Sequence, residues 1–192
     1  IMIARISSGT YIKGAVMYNE NKVEEGEANL IGARNFESDD IDISNAIFRM
    51  DQQCRKSDTG KRVRVKKPVF SCSLNLNDVD LAKLEELKKV EGEASENDLY
   101  CRIADRYMEG MGYGKQPYII YKHNDIERTH IHIVSIRVDE NRRKINDSYE
   151  HKRSERVRQE INKEFGLSTK GENEKNINAE KRSNYIHHAR ES

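Results

Sequence analysis

Three histidines stand close together in one stretch of the chain, in the segment HNDIERTHIHIV that runs from His123 to Val134. Side chains of a β-strand alternate between its two faces, so a strand there would direct His130 and His132 to the same side, about 6.6 Å apart. The segment YIIYKH precedes this strand, and an antiparallel hairpin would return His123 beside the pair. The spacing therefore predicts that three imidazoles converge on one point.

Such a cluster has the chemistry of a metal site. Three neutral imidazoles can hold one divalent cation and leave coordination positions open for water or substrate oxygens. A cation held in this way polarises a phosphoryl oxygen as a Lewis acid. Each ring also needs an acceptor for its second nitrogen, and Asp125 and Glu127 in the predicted turn are candidates for that support. The alternative is a set of half-buried strand histidines with ordinary hydrogen-bond partners.

A metal site alone does not define a reaction. Hydrolysis by metal-bound water needs no further group, whereas transesterification needs a nucleophile from the protein. Tyrosine suits that role because its deprotonated phenol attacks phosphorus and is also a good leaving group, which makes the covalent step reversible. Among the nine tyrosines, Tyr11 and Tyr18 lie near the predicted first strand, and the pattern does not choose between them.

The elements that must position these residues are short strands interspersed with helices. Residues 11–18 fit either a short helix or an irregular turn, and Ser44 is predicted to cap a helix over 44–54. The predicted strands are MIARI, ANLIGA, KKPVFSCSLN, YIIYKH and THIHIVSIRV, and the further predicted helices cover 77 or 78 to 91, about 96–110 and about 149–165.

Composition sets loose bounds on the protein. A chain of 192 residues with 35% hydrophobic and 35% charged residues fits one domain with a modest core. Three scattered cysteines without a CxxC pair do not indicate a disulfide framework or a zinc-cysteine site. The sequence contains neither a stretch long and apolar enough to span a membrane nor the layout of a signal peptide. We therefore expect a cytoplasmic protein without membrane insertion.

Charge is segregated along the chain although the formal net charge is only +1. Residues 54–68 carry a single acid among many bases, and segregated charge can give one face a positive potential. This basic run is our candidate for contacts with DNA phosphates, and ordinary solvated loops are the alternative. Its basic residues are Arg55, Lys56, Lys61, Arg62, Arg64, Lys66 and Lys67.

Four segments together resemble a known family: MIARISSGTYIKGAVMYNENKV, KKPVFSCSLN, GYGKQPYIIYKHNDIERTHIHIVSIRVDENRR and ERVRQEINKEFGL. The chain is similar over these segments to relaxases, the mobilisation nucleases of mobilisable plasmids and integrative elements, within the wider group of HUH-type endonucleases. The likeness runs from Met2 to about Leu167. It implies an α+β fold with a central antiparallel sheet, helices packed mainly on one side, and the metal histidines on central strands.

The resemblance also implies roles for individual residues. His123, His130 and His132 would be the metal ligands, and Tyr18 in GAVMYN matches the family's nucleophile motif whereas Tyr11 does not. Ser71 departs from the pattern, because many relatives have a histidine there. The expected metal is Mg²⁺ or Mn²⁺, although histidine ligands also accept Zn²⁺ or Ni²⁺.

The implied reaction is strand-specific nicking of single-stranded DNA at an origin of transfer, with a 5′-phosphotyrosine adduct and a free 3′-OH as products. Accessory mobilisation proteins and a coupling protein are the expected partners. Residues 1–167 would form the catalytic domain, and 168–192 a polar tail or the start of a connection to a further C-terminal region. A rolling-circle replication initiator, a non-cleaving DNA-binding module and a water-activating zinc hydrolase are the competing interpretations.

Overall fold

The computed structural model describes residues 2–38, 40–55, 65–124 and 128–168. Its strands and helices follow one another in the order β1 α1 β2 α2 β3 α3 α4 β4 β5 α5. The strands are β1 (Ile3–Gly9), β2 (Ala28–Arg34), β3 (Val69–Asn75), β4 (Tyr118–His123) and β5 (His130–Ile136). The helices are α1 (Ile12–Glu24), α2 (Ile43–Arg55), α3 (Asp78–Glu91), α4 (Glu93–Met111) and α5 (Glu150–Glu164).

The five strands form one antiparallel sheet in the order β1-β3-β5-β4-β2. The strand β5 is therefore central, and β4 and β3 flank it. The β4 and β5 pair is the predicted antiparallel pairing of consecutive strands. The predicted α+β class with a central antiparallel sheet is confirmed.

Each face of the sheet has its own hydrophobic core, because side chains alternate along every strand. Phe70, Cys72, Ile131 and Ile133 point to one face, where α3, α4 and α5 cover them. Most of the helical residues of the described segments lie on this face. The opposite face carries Val134 and its neighbours, which pack against Ile12 and Val16 of α1 and against α2.

Local sequence explains where the helices begin and end. The Asn77 side chain accepts from the backbone N–H of Asp80 at 2.9 Å and starts α3, as predicted, and Gly92 ends it. The prediction that Ser44 caps α2 is wrong. Asp42 does so, since its side chain accepts from the N–H of Asn45 at 3.0 Å.

The three cysteines are free thiols and all are buried. Burial raises the pKa of both Cys54 and Cys72 to about 12 and that of Cys101 to about 11. These side chains are packing residues rather than nucleophiles. Across the described part of the chain, the helices are too short or too polar to cross a lipid bilayer.

Candidate active site

The register of the sheet brings the three histidines together. His123 of β4 pairs directly with His130 of β5, and His132 follows two residues later on the same face. Ring centroids are 3.9 Å apart for His123 and His132, 4.8 Å for His130 and His132, and 5.2 Å for His123 and His130. The structure therefore places the three imidazoles where the sequence pattern predicted that they would converge.

The donor set fits a divalent cation. One nitrogen can be chosen from each ring so that all three lie within 4.8 Å of one another. Two nitrogens that bind the same ion at about 2.1 Å are at most about 4.2 Å apart, so the cluster is close to a binding arrangement. His123 is buried, with 1% of its surface exposed, whereas His130 and His132 are half-buried. The accessible side of the cluster is thus the side of the two β5 histidines.

Hydrogen bonds within the described residues orient His130 and His123. His130 donates from Nδ1 to the backbone carbonyl of Arg128 at 3.0 Å, which leaves its Nε2 for a metal. The Nε2 of His123 lies 2.7 Å from the side-chain oxygen of Asn19. The predicted supporting residues, Asp125 and Glu127, lie outside the described residues. Within the described residues, α1 contributes one partner of His123 through Asn19.

A groove of about 340 Å³ runs between α1 and the sheet beside the histidines. Tyr18 and His132 both line it, so a phenol and one imidazole of the cluster face the same space. Ser71 and Ser73 of β3 form its floor, and Arg5 of β1 lies at its far wall. These small hydroxyl side chains keep the groove open where larger residues would fill it.

Among the described tyrosines, Tyr18 is the one that is both exposed and part of the groove lining. It is 56% exposed on α1, directly before the Asn19 that contacts His123. Tyr11 is also exposed, but it caps the N-terminus of α1, about 10 Å away along the helix axis, and is not part of the groove lining. Of the two candidates that the sequence pattern leaves open, Tyr18 is therefore the one that lines the groove beside the histidines.

The other tyrosines of the described segments have structural positions. Tyr121 lies opposite His132 in the sheet, but it is fully buried, and burial together with the neighbouring Glu20 raises the pKa of its phenol. Tyr149 is exposed at the start of α5, which packs with α4 on the opposite face of the sheet. Four more are buried in the core on the face of the sheet opposite the groove: Tyr100, Tyr107, Tyr113 and Tyr118.

The structure places the described part of the basic run away from the histidines. Lys66 and Lys67 are exposed just before β3, whereas the β3 residue opposite His132 is Ser73, about 20 Å further along the strand. Arg55 ends α2 and forms an ion pair with Asp51 at 2.5 Å. Four members of the run lie outside the described residues: Lys56, Lys61, Arg62 and Arg64.

A larger hollow of about 450 Å³ lies beside α2 and has a different character. Phe36 and Phe48 contribute apolar walls, but Glu37, Asp40 and Asp42 stand at its edge. Acidic side chains repel phosphate, so this hollow does not suit a nucleic-acid backbone.

Asn19 and Arg5 both line the groove, and neither was predicted from the sequence. Asn19 carried a signal, because it continues the buried stripe of Ile12 and Val16 at helical spacing, where an apolar residue is expected. Arg5 carried no such signal, since its place opposite Ser73 depends on the pairing of β1 with β3.

Comparisons with known proteins show the family to which the chain belongs. The family model described as "Relaxase: MobA/VirD2-like, nuclease domain" matches residues 18–167, from the candidate nucleophile to the end of the described fold. No curated protein and no solved structure gave a significant match. The family model covers well over half of the 192 residues. The chain therefore belongs to the relaxase family of MobA/VirD2-like nuclease domains.

Proposed function

We propose that this domain is a DNA relaxase that nicks one strand at an origin of transfer through Tyr18. Family membership implies a nuclease that acts on single-stranded DNA. The observation that carries the finer proposal is the groove, because it holds the exposed Tyr18 phenol and an imidazole of the three-histidine cluster together.

His123, His130 and His132 would hold the metal, with Mg²⁺ or Mn²⁺ as the expected ion. A divalent cation, when bound there, supplies Lewis-acid polarisation of the scissile phosphoryl oxygen. The protein's own contribution is a groove lined by both His132 and Tyr18, so that a phosphate in the groove would meet one imidazole of the cluster and the phenol. Holding a phosphate next to the attacking phenol accounts for much of the catalytic effect of such a site.

The chemical step exchanges one phosphodiester bond for another. The Tyr18 oxygen forms a bond to phosphorus as the bond from phosphorus to the 3′ oxygen breaks. The phenol loses its proton and the departing 3′ oxygen gains one, so the products are a 5′-phosphotyrosine and a free 3′-OH. Because the bond energy is kept in the adduct, attack by a 3′-OH reverses the step and rejoins the strand.

DNA contacts would extend beyond the scissile phosphate. Arg5, exposed at the far wall of the groove, forms no ion pair among the described residues and is our candidate for a neighbouring phosphate. The basic run of residues 54–68 would contact DNA at the other end of the sheet. These contacts set affinity and position, whereas sequence specificity requires contacts to bases.

The test uses oligonucleotides that carry candidate origin sequences, incubated with the protein and Mn²⁺. A label at the 3′ end should travel with the protein on a denaturing gel, and a label at the 5′ end should appear on a shorter fragment. Tyr18→Phe should abolish the adduct and leave DNA binding intact, because only the phenolic oxygen is removed. Tyr11→Phe, at the N-cap of the same helix, is the matched control and should form the adduct normally.

Other outcomes distinguish the competing functions. Release of both fragments without an adduct would indicate hydrolysis by activated water, and binding without cleavage would indicate a non-cleaving module. Adduct formation by Tyr18→Phe would refute the assigned nucleophile. Nicking at a replication origin instead of a transfer origin would favour a rolling-circle initiator.

A further inference from the structure

The residue that follows the candidate nucleophile is buried against the metal cluster. Asn19 is only 3% exposed, and its Oδ1 lies 2.7 Å from Nε2 of His123. Its Nδ2 donates to the backbone carbonyl of Ala15 at 3.0 Å, one helical turn back in α1. A single side chain therefore joins the helix of Tyr18 to the most buried histidine of the cluster.

The contact with Ala15 fixes the orientation of the amide. A backbone carbonyl can only accept, so the group that faces Ala15 must be the NH₂ of Asn19. The group that faces His123 is then the amide oxygen, which also can only accept. It follows that Nε2 of His123 carries the hydrogen and donates it to Asn19.

The protonation of one ring nitrogen determines the role of the other. A neutral imidazole has one N–H and one lone pair, and a hydrogen bond at the N–H fixes which nitrogen can bind metal. His123 would therefore ligate through Nδ1. His130 has the opposite arrangement, since its Nδ1 donates to the Arg128 carbonyl and its Nε2 remains for the metal.

We propose that Asn19 is a positioning residue that holds His123 in the Nε2–H tautomer and so couples the docking of the nucleophile helix to metal affinity. This inference rests on the proposed metal site, but it concerns a contact that exists without the metal. Its consequence is reciprocal: a well-placed α1 favours metal binding, and bound metal favours the placement of α1 and of Tyr18.

The tautomer can be measured directly in the metal-free protein by long-range nitrogen-proton NMR correlation of the imidazole rings, at a pH of about 8 where histidine is neutral. His123 should show the Nε2–H tautomer and His130 the Nδ1–H tautomer. An Nδ1–H tautomer at His123 in the unmodified protein would by itself overturn the proposal.

Three variants test whether Asn19 positions the His123 ring or only packs against it. Asn19→Leu keeps the approximate volume but removes the acceptor, so it should mix the tautomers of His123 and weaken Mn²⁺ binding by about 10- to 100-fold in calorimetry. Asn19→Asp keeps an acceptor and should retain the tautomer and most of the affinity. Asn21→Ala, at an exposed position of the same helix, is the control and should change neither.

The outcomes distinguish this inference from the proposed function. If Asn19→Leu keeps both the tautomer and the Mn²⁺ affinity, Asn19 is a packing residue even when Tyr18-dependent nicking is observed. If the tautomer and metal effects appear but no adduct forms with DNA, the positioning role stands and the nicking function fails. If Asn19→Leu does not fold, the NMR measurement on the unmodified protein and the Asn19→Asp titration still test the positioning role of Asn19.

Discussion

The two faces of the sheet use the same strands for different purposes. On one face, Phe70, Cys72 and Ile133 are sealed under three helices. On the other, α1 and α2 cover Val69 and Val134, but Ser71, Ser73 and His132 beyond them are only half-buried. Adjacent residues such as His132 and Ile133 therefore belong to different environments. One face is sealed by packing, and the uncovered end of the other holds the histidine cluster and the groove.

The largest difference between the two faces should be in the free energy of unfolding that is lost when a side chain is truncated. Ile133→Ala would leave a cavity in the fully packed core, and such truncations lower the free energy of unfolding by about 2 to 5 kcal/mol. Ser71→Ala, on the groove side of the neighbouring strand, should change it by less than about 0.5 kcal/mol. Urea unfolding followed by circular dichroism measures both. Equal losses would mean that the groove side is as tightly packed as the core.

A smaller effect on stability, accompanied by a loss of metal affinity, is expected at His132, the residue next to Ile133. His132→Ala removes a proposed metal ligand, so Mn²⁺ affinity should fall by at least the roughly 100-fold that loss of a supporting hydrogen bond can cause. Its stability in EDTA should remain within about 1 kcal/mol of the unmodified protein, since the side chain is half-buried. His151→Ala on the exposed side of α5 serves as the control. An unchanged calorimetric titration for His132→Ala would contradict the metal site.

The smallest expected effect is on the salt dependence of DNA binding, and it concerns Arg5 at the edge of the groove. Arg5→Gln removes one proposed phosphate contact, which should reduce the slope of log affinity against log salt concentration by about 0.7 for single-stranded DNA. Lys89 is exposed on α3, which covers the face of the sheet opposite the groove, so Lys89→Gln should leave the slope unchanged. Fluorescence anisotropy without added metal measures binding apart from cleavage. Identical slopes for Arg5→Gln and the unmodified protein would exclude Arg5 from the DNA path.

The same comparison explains what the sequence could reveal. The core side of each strand is a run of apolar residues at every second position, so β3, β4 and β5 were predictable within a few residues. The histidine cluster was predictable as well, because it depends on alternation within β5 and on pairing with the preceding strand. Both are local features of the chain.

What remained open depended on contacts between distant segments. Residues 11–18 were ambiguous because a helix of mixed polarity is stabilised by packing rather than by its own pattern, and α1 in fact continues to Glu24. The sheet order, which places Arg5 opposite Ser73, is not encoded in any local period. The contact of His123 with Asn19 was not predictable either, because Asn19 lies on a helix far back in the chain.

The distances along the chain have a consequence for the order in which the site assembles. His123 and His130 are separated by 7 positions, but the contact of Asn19 with His123 spans 104. Closing the longer loop costs about 2 kcal/mol more chain entropy than closing the shorter one. We therefore expect local opening to release α1 first, which would leave the two histidine strands without the proposed nucleophile. Hydrogen exchange would show this as faster exchange of α1 amides than of those in β4 and β5, and equal rates would indicate that the site opens as one unit.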